Sequence, residues 1–260
     1  MARIVVWYSD GAASAVAAKL TITQHGHHDV VVARIETGSE HPDNARFRAQ
    51  VERRIQHPIV ELRSAVYTDT WDVWERTRYL VGPSGARCTG ELKKKVRFAY
   101  QRPDDVHVFG FTADPREVKR AQRFREQNFD LTIATPLIDR GLTKGDCLGV
   151  LDSLGIELSW MYRHGYRNNN CIGCVKGGIG YWNKIRRDFP EVFARMAQLE
   201  QRIGATVLRE KPAGGGPSQP LPLATLDPSR GSHADEPDIE CSVLCAAAAE
   251  ELSPAEAVAS

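Results

Sequence analysis

The first twenty residues constrain the fold most. Arg3-Ile4-Val5-Val6-Trp7-Tyr8 reads as a buried strand, and Ser9-Asp10-Gly11-Ala12-Ala13-Ser14 follows with no spacer. Ala15 to Leu20 is then a short apolar run of good helix formers. A strand, a turn of small residues and a helix N-terminus together make an anion site. Free backbone N–H groups and the positive end of the helix dipole point at one spot, and Gly11 lacks the Cβ that would block a phosphate. Ser9 and Ser14 add hydroxyl donors. The expectation is a nucleotide held at this first βα turn by Ser9, Asp10, Gly11, Ala12 and Ser14. The bland alternative is a small turn of the kind any α/β fold needs there.

Strand and helix patterns alternate through residues 1–205. Further strands are expected at 30–35, 58–62, 106–111 and 131–134, and helices at 43–55, 69–79, 114–127 and from about Thr143. Asp114-Pro115-Arg116-Glu117 reads as a capping box with proline at the first helical position. A last helix is capped by Asp188, carries Glu191 three residues on, and stops at Gly204. The predicted fold class is α/β, a doubly wound, mostly parallel five-stranded sheet. Composition then turns to Pro, Gly and Ser, so 206–240 reads as a flexible linker and 241–260 as a cysteine-containing tail.

The 260 residues suffice to bury a core, and a formal net charge of +1 places no global demand for nucleic acid or membrane. No apolar run approaches the ~20 residues of a membrane span. The N-terminus enters a strand without a signal-peptide layout, so a cytoplasmic enzyme is expected. Six cysteines are too sparse for a disulfide scaffold and point to metal or redox work.

Cys171-Ile172-Gly173-Cys174 places two thiols on one short turn, inside a loop at about 165–182, where they can converge on one metal. Cys88 stands in Arg87-Cys88-Thr89-Gly90-Glu91-Leu92-Lys93-Lys94-Lys95, where neighbouring cations favour a thiolate. Cys88, Cys171 and Cys174 are therefore the candidate metal ligands. Three thiolates leave one position open on an iron–sulfur cluster; the alternative is a zinc knuckle that only staples loops. Cys147 lies in a helix pattern and reads as a core residue. His25, His27 and His28 read as a solvated turn. Arg163 to Asn170 is basic, aromatic and polar, as a nucleic-acid contact is, although an ordinary polar loop reads the same way. Tyr181 and Trp182 read as loop packing rather than base stacking.

The ordered motifs resemble the phosphoadenosine phosphosulfate (PAPS) reductase family, within the adenine-nucleotide α-hydrolase superfamily of pyrophosphatase-loop enzymes. Ser9-Asp10-Gly11-Ala12-Ala13-Ser14-Ala15-Val16 looks like the family's Ser-x-Gly-x-x-Ala-Ala-Val loop, with Ala13 where many ATP-cleaving relatives carry aspartate. Glu36-Thr37-Gly38-Ser39-Glu40 is similar to its Asn-Thr-Gly-x-Glu. Cys88-Thr89-Gly90-Glu91-Leu92-Lys93 is similar to its Cys-Thr-x-x-Leu-Lys. Gly110 to Glu117 resembles its Gly-x-Arg-x-Asp-Glu segment, with Thr112 replacing the arginine. Pro136-Leu137 with Thr143-Lys144 completes the set, which spans residues 1 to about 205.

The resemblance implies an enzyme of sulfur metabolism that binds an adenine nucleotide, ATP or PAPS/adenylylsulfate with magnesium, and transfers or reduces sulfur. It implies nucleotide contacts from Glu36, Thr37, Gly38 and Arg116 and charge neutralisation by Lys93. One branch carries a 4Fe–4S cluster on the three cysteines and thiolates transfer RNA or DNA. Another, a thiol-based reductase, uses Cys241 as nucleophile against the substrate sulfur and meets a thiol or electron-donor protein. A third reading is a non-catalytic nucleotide-binding module with structural zinc. No membrane partner is expected, and a homodimer is a candidate assembly.

Overall fold

Residues 4–8 are apolar on both sides, as a strand covered on both faces requires. The computed structural model describes residues 2–83, 85–212 and 214–239. In chain order it contains β1 (Ile4–Tyr8), α1 (Ala12–His25), β2 (Val30–Ile35), α2 (Asn44–Ile55), β3 (Ile59–Leu62) and α3 (Thr70–Thr77). A short pair, β4 (Val81–Gly82) and β5 (Gly85–Ala86), precedes a π-helical stretch at Thr89–Lys94 that runs into α4 (Lys95–Tyr100). Then come β6 (Val106–Val108), α5 (Pro115–Gln127), β7 (Thr132–Ala134), α6 (Pro136–Asp139), α7 (Lys144–Ser153) and α8 (Trp160–Arg163). α9 (Ile179–Asp188), α10 (Pro190–Ile203), β8 (Leu208–Glu210), β9 (Gln219–Leu221) and a 3₁₀ turn at Leu223–Thr225 follow.

The chain divides into two compact units. The first takes residues up to Glu36, 40–63 and 96–169; the second takes 37–39, 64–95 and the chain from Asn170 on. The expected tail, with Cys241 and Cys245, lies outside the described residues.

The first unit is an α/β fold with a five-stranded, all-parallel sheet in the order β3-β2-β1-β6-β7. In register, Val5 pairs with Val31 on one side and with His107 on the other. Alternation along β1 sends Ile4, Val6 and Tyr8 to one face, where they share a core with Val16, Phe47, Val51, Cys147 and Leu151. Those residues bring α1, α2 and α7 onto that face. Trp7 faces the other way, stacking on His107 and meeting Tyr100 edge-on, while Phe109 meets Phe124 of α5. Helices thus cover both faces, as the doubly wound reading requires. Cys147 is fully buried in this core, and burial raises its thiol pKa to about 11.

Two predicted caps are replaced by other contacts. Asp114 precedes α5 with Pro115 in the first turn, but its carboxylate accepts from Thr112 Oγ1 at 2.6 Å and from Lys144 N at 2.9 Å. It ties the exit of β6 to the start of α7 instead of closing a box with Glu117. Asp188 ends α9, where Lys184 pairs with it at 2.8 Å, and α10 begins at Pro190.

In the second unit, the chain beyond α10 is tied to α9 and α10 by hydrogen bonds. Leu208–Glu210 and Gln219–Leu221 pair as an antiparallel hairpin. Glu200, buried on α10, accepts from Val207 N and Leu223 N at 2.7 Å each. Asn183 donates to the carbonyls of Asp227 and Arg230, and Arg186 to that of Leu226. Backbone groups of Val207, Leu223, Leu226, Asp227 and Arg230 are thus bonded by side chains of two helices, which hold this part of the chain as a strap.

Candidate functional site

Strand order reverses between β1 and β6, and the loops leaving their carboxyl ends meet there. A Cβ on Gly110 would lie 2.8 Å from Ser14 N and 3.0 Å from Ala13 C. The loop after β6 therefore backs directly onto the first turn of α1, and only glycine fits. A Cβ on Gly11 would stand 3.4 Å from Ser9 Oγ, 3.5 Å from Tyr162 Oη and 3.8 Å from Ser14 Oγ, in ordinary contact with side chains and clear of backbone.

The turn holds its own shape. Ser14 Oγ accepts from Ser9 N at 3.1 Å, donates to Gly11 O at 2.9 Å, and lies 3.3 Å from Ser9 Oγ. Ser14 thus spends its one hydrogen inside the loop. Gly11 caps α1 in an extended conformation, and Ala12 N donates to Tyr162 Oη at 3.3 Å. Asp10 is 1% exposed and adopts φ 54°, a left-handed conformation that costs an L-residue about 1 kcal/mol or more. Asn169 holds that conformation, donating from Nδ2 to Asp10 O and to Asn44 Oδ1 at 2.7 Å each.

Beneath the turn, Arg34 of β2 is 2% exposed and pairs with Asp10, Glu36 and, at 3.0 Å, Glu61, with Glu40 at 3.7 Å. Arg48 reaches Asp10 at 3.5 Å and Glu61 at 3.5 Å. Burial alone would weaken the Arg34 charge, but Asp10 and Glu36 outweigh it and raise its pKa. Burial likewise raises the Asp10 carboxyl, opposed by Arg34. One cation thereby anchors the exits of β1, β2 and β3. Sequence reading missed Arg34; the available signal was a lone charge inside the apolar run 30–35. It also missed Tyr162 and Asn169, which reach the turn from about 150 residues away.

Of the expected nucleotide contacts, Ser9, Asp10, Gly11, Ala12 and Ser14 form this turn, and Glu36 is committed to Arg34. Arg116 lies on the exposed side of α5 beside Lys119, Gln122, Arg123 and Glu126, which line an open groove of about 450 Å³. In the loop 163–170, Arg163 pairs with Glu157 at 2.7 Å, Tyr166 is buried, and Lys144 donates to Asn168 at 2.9 Å.

Thr37, Gly38, Lys93 and the three candidate metal ligands belong to the second unit. Gly38 has φ 68°, and a Cβ there would fall 2.4 Å from Thr68 O. It lets the 37–39 segment lie against the backbone at Thr68 and Asp69. That placement puts Thr37 Oγ1 3.0 Å from Cys171 Sγ, and Ile172 N donates to Ser39 O at 2.9 Å. The Cys-x-x-Cys turn is closed by one hydroxyl: Tyr181 Oη accepts from Cys174 N at 2.9 Å and donates to Cys171 O at 3.2 Å. Gly173 takes φ 74° between the two cysteines, with Val192 only 2.7 Å from where a Cβ would stand. Tyr181 and Trp182 are buried packing residues, as read from the sequence.

Cys88 precedes the π-helical stretch, and Lys93 is half-buried within it. Two of the cations expected to act on Cys88 are engaged elsewhere: Arg87 at 3.2 Å and Lys95 at 2.7 Å both pair with the buried Glu91. Cys88, Cys171 and Cys174 are buried and outside any disulfide. Among the described residues, no three His, Cys, Asp or Glu side chains are grouped so as to hold a metal ion. Among the described residues, no helix is long and apolar enough to cross a membrane.

Fold and site together define an α/β protein with a five-stranded parallel sheet and a serine-bearing turn at its crossover. Among solved structures, the chain is similar to phosphoadenylyl-sulfate (PAPS) reductase from Candida auris, determined as a phosphate complex. Sequence identity is 10% and the TM-score 0.48, over 66% of this chain and 82% of that one. No protein-family model matches the chain, and no curated protein matches it in sequence.

Proposed function

We propose that the chain is an enzyme that binds an adenine nucleotide at the Ser9–Ser14 turn and carries out sulfur transfer or reduction. The observation that carries the first half is the approach of Gly110 to Ser14 N and Ala13, which fixes the α1 N-terminus at the crossover of the sheet. Backbone amides there meet phosphate or sulfate oxygens with no charged side chain required. Ser9 supplies a hydroxyl and Arg116 is a proposed neutralising cation, while Lys93 is proposed for that role from the sequence motif alone.

The second half rests on the ordered motifs of the sequence and on the thiol environment at Cys171. Thr37 offers a hydroxyl to that sulfur, a group that stabilises a thiolate and a sulfur-bearing intermediate alike. Iron–sulfur ligation by Cys88, Cys171 and Cys174 remains part of the proposal from sequence alone, tested by iron and acid-labile sulfide on protein purified without oxygen.

The test of nucleotide binding is calorimetric titration of ATP, adenylylsulfate and PAPS into wild type and Gly11→Val. One nucleotide saturates wild type, and the valine variant loses affinity by about tenfold or more, because its side chain crowds the amides. Unchanged binding in the variant, or no binding of any of the three, overturns the reading. Pyrophosphate or sulfite release then separates transfer from reduction.

A further inference from the structure

α1 and α2 both end on residues with positive φ, Gly26 at 77° and Gln56 at 54°, and each is followed at once by a histidine. Both helices pack on the same face of the sheet and deliver the chain to neighbouring parallel strands, β2 and β3. The two left-handed turns therefore bring His27 and His57 side by side at the amino end of the sheet. Their Nδ1 atoms are 3.2 Å apart, with rings tilted 30°. His27 is exposed and His57 half-buried.

Two nitrogens on one tetrahedral zinc, each about 2.0–2.1 Å from the metal, lie about 3.3 Å from each other. The His27–His57 separation matches that bite. His25 and His28 lie within two residues of His27 in the chain, and both are exposed.

We infer that His27 and His57 form a surface site for a borderline divalent transition metal such as zinc, nickel or copper. Both imidazoles ligate through Nδ1, and water fills the remaining positions. The site lies at the end of the first unit opposite the Ser9–Ser14 turn, and it does not depend on nucleotide binding. In the absence of metal, the two rings share one N–H···N hydrogen bond.

The test titrates Ni²⁺ into the full chain and into His27→Ala and His57→Ala. Wild type shows one saturable site, and each variant weakens it by more than about tenfold, since a lost ligand costs at least what a lost supporting contact does. Paramagnetic broadening by substoichiometric Ni²⁺ provides a second readout, appearing first at the amides of residues 26–29 and 57. The inference is overturned if wild type has no saturable site, if either variant titrates like wild type, or if broadening begins at residues 171–174.

Discussion

Thr37 Oγ1 stands 3.0 Å from Cys171 Sγ. Once the thiol has lost its proton, only the threonine hydroxyl can donate across that distance. Valine keeps the shape of the side chain and removes the hydroxyl. Thr37→Val is expected to slow alkylation of Cys171 about fivefold, the equivalent of ~1 kcal/mol for one hydrogen bond. Timed iodoacetamide labelling with peptide mass analysis reads the rate at this cysteine alone. Equal rates in both proteins remove Thr37 from the thiol's chemistry.

Gly110 separates two kinds of glycine effect. Gly110→Ala places a methyl against the backbone of Ala13 and Ser14, so destabilisation of about 1–3 kcal/mol is expected, with weaker nucleotide binding. Gly149, inside α7, has open space where its Cβ would stand, and alanine there should stabilise by up to ~1 kcal/mol. Chemical denaturation of the two variants gives opposite signs. A neutral Gly110→Ala would show that the loops do not meet as described.

Arg34 ties together carboxylates at three strand exits. Arg34→Met fills the volume but removes the Arg34 guanidinium from Asp10, Glu36 and Glu61. The expected cost is about 3–5 kcal/mol, the range for breaking a buried ion pair from one side. Pairing it with Asp10→Asn should restore part of the loss, and a double-mutant denaturation cycle measures the coupling. Purely additive losses would mean that the two side chains act independently.

Asp43 gives the pH dependence. Its hydrogen bond from Arg46, helped by Trp160 N, lowers its pKa to about 2. A depressed carboxylate contributes stability that is complete above its unfolded pKa and is lost as pH falls through the folded one. The wild-type advantage over Asp43→Asn should therefore be full at pH 5, shrink from about pH 4 downward, and vanish below about pH 2. Urea midpoints across that range test it; a constant difference would assign the effect to packing.

The parallel sheet was legible because its strands are short apolar runs separated by helix-period segments, and because the turn after β1 contains only small residues. Arg34 was hidden inside one of those runs, since two of its partners, Asp10 and Glu61, come from the ends of β1 and β3. Asn169 and Tyr162 were illegible for the same reason: they act on the turn from a loop and a one-turn helix far along the chain. The strap at 206–239 was read as a linker because Glu200, Asn183 and Arg186, which satisfy its backbone, lie on other elements. The π-helical stretch after Cys88 left no mark, as its extra residue per turn alters no polar pattern.

Thr37, Gly38 and Ser39 belong to a different unit from the strand they follow. No contiguous fragment of the gene encodes either unit by itself: the first is interrupted twice, and the second is collected from three separate stretches. On the ribosome the first unit can close only after Asn169 has emerged, with two pieces of the second already made and waiting. A fragment ending at Asn169 would carry all of the first unit but also two stretches of the second, so neither unit can be cut out cleanly by truncation.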